Sequence, residues 1–155
     1  MGRNIKKIAA LTDLYLKTAQ DVNSPQIRIE PYEEVIDCAV KVIQAIEPNY
    51  FQGIETIKVM PSSAYGHVSS DEPSVINVNI DRIKNELQNA EGRNAVAVAA
   101  AVIAHERGHV SDFSPETGFP GGEGVAENEE RRMESVIEQN IDRLQNLPCF
   151  QKWNQ

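Results

Sequence analysis

The run from Ala95 to Ala104 constrains this chain more than any other feature, because ten consecutive residues are Ala, Val or Ile and lead directly into His105-Glu106-Arg107-Gly108-His109. The stretch rich in Ala, Val and Ile, from about Asn94 to Phe113, is roughly twenty residues, longer than a typical strand of about 5–6. It therefore predicts a core helix from about Asn94 to Phe113, stopped by Ser114-Pro115. The same run is too short to cross a hydrocarbon layer of about 30 Å, so the buried surroundings it demands must come from the rest of the chain.

With 155 residues, the chain can build one hydrophobic core and has little left for a second. A single domain over residues 1–155 is expected, with residues 1–24 as an N-terminal helix that docks on the core or inhibits it. Hydrophobic residues at 41% and charged residues at 25% match an ordinary globular mix. The net charge of -8 repels phosphate backbones and anionic lipid, so nucleic acid and membrane surfaces are not expected partners. Arg3, Lys6 and Lys7 read as a solvated end. Ile5 to Leu16 is interrupted by Lys6, Lys7 and Asp13 and does not form a signal-peptide core, which leads to an expected cytoplasmic location. Cys38 and Cys149 lie far apart in no metal-ligand spacing, and are expected to pack as separate small hydrophobes.

Apolar residues at helical spacing mark a first amphipathic helix over residues 4–20. A second begins near Pro31, with Glu33 and Glu34 in its first turn and Val35, Ile36, Ala39, Val42, Ile43 and Ile46 on one face, before Pro48. Ile54 to Met60 reads as a strand, Ala64 to Ser69 as a short second one, and Val75 to Ile80 as a third with period-two alternation. This third strand either completes the core or offers its edge to an extended peptide. Residues 117–122 form a loop, and a last helix runs from about Glu123 to Leu147 before Pro148.

His105 and His109 are two of the three histidines in the chain. Four residues apart on a helix, they project from one face about 5–6 Å apart, a spacing that suits two ligands of one ion. Glu106 falls on the flank between them, where a carboxylate can take a proton from metal-held water without itself being a ligand. A catalytic Zn²⁺ normally has three protein ligands and an open position. The extended pattern with a third histidine fails, because Asp112 and Pro115 stand at its Gly and His positions. Glutamates on the last helix are the remaining source: Glu123, Glu127 and Glu130 are all candidates, with Glu130 nearer the extrapolated apolar face than Glu127.

These residues resemble the gluzincins, zinc peptidases that combine H-E-x-x-H with a downstream glutamate ligand. Gly121-Gly122-Glu123-Gly124-Val125-Ala126-Glu127 looks like their glutamate segment, and the likeness covers about residues 75–140. It implies an α+β, zincin-like fold, in which a small mixed β-sheet packs on a long active-site helix with a backing helix and a C-terminal glutamate helix. It also implies one Zn²⁺ held by His105, His109 and Glu123, with Ala126 as a small contact between helices and Glu127 as the carboxylate that orients a ligand histidine. The implied activity is peptide-bond hydrolysis on a peptide or protein substrate, with Glu106 as general base for a zinc-held water. A donor for the developing oxyanion is sought among Tyr65, His67, Arg131 and Arg132. The second reading of the same residues is a zinc-binding, catalytically weak or inactive protein of this fold that serves as a binding or structural module.

Overall fold

A computed structural model of the chain describes residues 26–60, 74–89, 94–110 and 123–153. The expected helix over 4–20, the strand over Ala64 to Ser69 and the loop over 117–122 lie outside the described residues. Three short strands, β1 (Arg28–Glu30), β2 (Thr56–Met60) and β3 (Val75–Asn79), form a sheet in the order β1-β2-β3. Both pairings are parallel, Ile29 opposite Ile57 and Ile57 opposite Ile76, so the described strands make a parallel sheet where a mixed one was expected. Parallel neighbours need crossovers, and helices supply them.

The first crossover is α1 (Glu34–Ile46). Glu34 and Asp37 in its first turn complement the helix dipole. Ile36, Cys38, Ala39, Val40, Val42, Ile43 and Ala45 are buried, so most of the helix faces the core. Pro31 precedes this helix and does not open it. Gly53, at φ 84°, takes the left-handed turn into β2 that a side chain would resist.

A helix not anticipated from the sequence, α2 (Ile80–Asn89), starts where β3 ends. Asn79 creates the boundary: its side-chain oxygen accepts from the backbone N–H of Asp81 at 2.9 Å and of Arg82 at 3.4 Å. Such a cap is worth about 1 kcal/mol. The alternation of Val75 to Ile80 conceals this helix, because Ile80 continues the strand pattern while already belonging to the next element.

The core helix α3 spans Ala95–His109 and is capped by Asn94, whose side chain accepts from Val96 N at 2.7 Å and Ala97 N at 3.3 Å. Residues all round its circumference are buried, including Val96, Ala99, Ala100, Val102, Ile103 and Ala104, as an apolar helix without a polar face requires. Against it lies α4 (Glu123–Gln139), with Ala126, Met133 and Ile137 buried.

The expected single helix to Leu147 is corrected. It breaks at Asn140, whose side chain donates to Val136 O at 2.8 Å, and the chain continues as α5 (Ile141–Leu144) and α6 (Pro148–Trp153). Pro148 opens a helix, a position where its missing N–H has no partner to lose. Folding back in this way carries α6 onto α1, where Cys149 and Cys38 form a disulfide with Cα atoms 5.8 Å apart. The expectation of separate cysteines is therefore corrected as well: their separation of 111 residues in sequence says nothing about distance once α6 returns. Phe51, Phe150, Ile57, Ile76, Ile103 and Met133 are among the fully buried side chains that join these layers, each worth about 1.5–3 kcal/mol of burial. Among the described residues no helix is long and apolar enough to cross a membrane.

Candidate metal centre

The last turn of α3 and the first turn of α4 meet at one point, and two small residues permit it. A Cβ built on Gly108 would stand 2.8 Å from Ala126 Cα, so the helices touch backbone to backbone. Ala126 thus occupies the place expected of it. Gly108, the fourth residue of the His-Glu-Arg-Gly-His segment, is an equal partner in the contact.

This approach brings Glu123 onto both histidines. Its Oε1 lies 3.0 Å from His105 Nε2 and its Oε2 lies 3.2 Å from His109 Nε2. The imidazole centroids are 5.1 Å apart, and one donor atom from each of the three residues falls within 4.8 Å of the others. Two imidazole nitrogens and a carboxylate gathered this closely are a donor set that could hold one metal ion, and the chemistry of the set suits Zn²⁺. The site opens toward solvent: the side chains of His105, His109 and Glu123 are 7%, 24% and 67% exposed. Burial lowers the pKa of His105, helped by the nearby Arg82 charge and opposed by Glu123, which favours the neutral imidazole that a metal binds.

Glu106 sits beside the three, its side chain 15% exposed. Burial raises its pKa, against the opposing charges of His109 and Arg82. A carboxylate with raised proton affinity is a better proton acceptor from water than an ordinary surface glutamate.

The other named residues distribute differently from expectation. Glu127 is exposed, whereas Glu130 places its Oε1 3.7 Å from His105 Nδ1. That nitrogen is buried and makes no hydrogen bond among the described residues. Glu130 thus faces that nitrogen, beyond hydrogen-bond distance. Arg131 is exposed. Arg132 points to the opposite face of α4, where it binds Glu129 and Glu47 and lies 5.9 Å from the Tyr50 ring centroid. Arg107 also points away from the two histidines, and its Nη2 donates to Gln52 O at 3.4 Å. Tyr65 and His67 lie outside the described residues.

Sequence reasoning missed Arg82. From the first turn of α2 its Nη2 donates to Glu130 Oε1 at 2.7 Å, and its Nη1 stands 3.6 Å from Glu106 Oε1. Its partners are distant in sequence, and the available signal was Asn79 as a helix cap, which would have put Arg82 on a helix beside the His-Glu-Arg-Gly-His segment. Comparison with known proteins finds no family model, curated protein or solved structure that matches the chain.

Proposed function

We propose that this chain is a zinc-dependent metallopeptidase of the gluzincin type, with a zincin-like α+β fold, that hydrolyses peptide bonds in a peptide or protein substrate. The observation that carries the proposal is the convergence of His105 Nε2, His109 Nε2 and the Glu123 carboxylate, with the half-buried Glu106 alongside. His105, His109 and Glu123 would hold the ion. Zinc in such a site supplies a Lewis acid and a water whose pKa falls toward about 7. Glu106 takes the proton from the attacking water and delivers it to the departing amine, so that neither a strong base nor an amide anion is formed in solution. The partial burial of the histidines excludes water from one side, while the exposed edge at Glu123 leaves an approach for substrate. In this reading an extended substrate peptide would pair by its backbone with β3, next to the site.

Replacing Glu106 by Gln tests the reading. Zinc content and melting temperature should persist, and cleavage of a peptide library should disappear; cleavage at the wild-type rate in Glu106→Gln would sink the mechanism. Zinc binding by the wild type without any cleavage would instead favour a zinc-stabilised binding or structural module. The cytoplasmic location expected from the sequence now competes with the Cys38–Cys149 bridge, because such bridges persist mainly in oxidising compartments. A thiol count on protein isolated under alkylating conditions decides between them.

A further inference from the structure

We propose that Arg82 is a positioning residue for this centre, fixing the general base Glu106 and the histidine ligand His105 together through two carboxylates. The inference rests on the zinc-site reading above.

Arg82 is the first-turn residue of α2 whose backbone N–H is received by the Asn79 cap, so the base of its side chain is anchored. Its side chain is 30% exposed, and the guanidinium points at two carboxylates from different helices. Nη2 binds Glu130 Oε1 at 2.7 Å, within the range of a charge-assisted hydrogen bond. The same Glu130 oxygen faces the buried Nδ1 of His105 at 3.7 Å. A small rotation of either group would bring them into contact, and a carboxylate on the remote nitrogen fixes the tautomer in which Nε2 is free to bind metal. Nη1 stands 3.6 Å from Glu106 Oε1, an ion pair beyond hydrogen-bond distance. One planar fork therefore holds the carboxylate behind the ligand and faces the carboxylate beside the open position. Lysine, a single point charge, cannot span both.

The test uses the full-length protein, stripped of metal and titrated with zinc against a chromophoric chelator, with peptide-cleavage kinetics on the same samples. Arg82→Gln and Glu130→Gln should each weaken zinc binding about tenfold or more, and the double variant should be no weaker than the weaker single one, because both act through His105. Arg82→Gln should also lower kcat with KM little changed. Arg82→Lys retains a cation for Glu130, so it should bind zinc close to wild type while still losing kcat. Circular dichroism of the metal-free variants checks that each remains folded, and Arg82→Lys keeps the test open if Arg82→Gln does not. Wild-type zinc affinity in folded Arg82→Gln, additive losses in the double variant, or wild-type kcat in Arg82→Lys overturns the assignment. Failure of the wild type to bind zinc overturns the site reading itself, and this inference with it.

Discussion

Replacing Gly108 by Ala perturbs the contact on which the centre depends while adding a single methyl group. The new Cβ would meet Ala126 Cα at 2.8 Å and Ala126 N at 3.3 Å, against an ordinary carbon contact of about 3.5–4.0 Å. Because the obstructing atoms are backbone, no side-chain rotation relieves the clash, and α4 must retreat by about 1 Å. Overpacking of this kind costs about 1–3 kcal/mol, while exchanging Gly for Ala inside a helix returns up to about 1 kcal/mol. With the full offset, the net expectation is a loss of up to about 2 kcal/mol in the metal-free protein. Glu123 lies one turn before Ala126 and moves with it, so zinc affinity should fall about tenfold or more, since ligand sets tolerate only about 0.5 Å of misplacement. Gly124→Ala is the matched control, because nothing lies within 4 Å of its added Cβ; it should be neutral or stabilising by up to about 1 kcal/mol. Urea melts and chelator competition on the two variants measure both quantities. A Gly108→Ala protein as stable as Gly124→Ala, with undiminished zinc affinity, refutes the close approach.

Asn79→Ala should destabilise by about 1 kcal/mol through the lost cap of α2, and weaken zinc binding by loosening Arg82; unchanged hydrogen exchange in residues 80–83 would count against it. Cys149→Ser should cost about 2–4 kcal/mol through release of the long loop closed by the bridge, read from melts with and without reductant; two titratable thiols in unreduced wild-type protein would show that the bridge does not form. Burial raises the pKa of Glu129, so the folded chain holds its proton to a higher pH than the unfolded chain does. The stability this supplies is complete below the unfolded value and is lost as pH rises through the folded one. As pH rises above the ordinary glutamate value of about 4.3, the wild type should therefore lose stability relative to Glu129→Gln, and a change of the opposite sign refutes the assignment.

The elements legible in the sequence are those where one periodicity runs unopposed. Ala95 to Ala104 leads a segment too long for a strand, and Val35 to Ile46 carries a helical stripe between an acidic start and Pro48, so α3 and α1 begin near where pattern places them, although α3 ends at His109, where Val110 turns extended, and not at Phe113. Ile80 satisfies strand alternation and a helix start at once, and the strand reading hid α2 together with Arg82. The break at Asn140 was equally obscure, because Ile141 and Leu144 continue the spacing of Met133 and Ile137 although the chain has changed direction. Within the centre, the i, i+4 spacing of His105 and His109 reports a shared face directly. The choice among Glu123, Glu127 and Glu130 depends on how closely α4 approaches α3, which a single glycine and a single alanine decide. Glu123 then reaches the histidines from the solvent side and Glu130 stands behind His105, a division of roles that residue types alone do not specify.

Zinc titration of the metal-free full-length chain, with the bound ion's ligands read by X-ray absorption, tests the central claim most directly. One zinc per chain in a nitrogen- and oxygen-ligated site is predicted, with binding abolished in the His105→Ala, His109→Ala double variant and weakened in Glu123→Ala. A wild-type chain that takes up no zinc, or a double histidine variant that binds it as tightly as the wild type, would contradict the account.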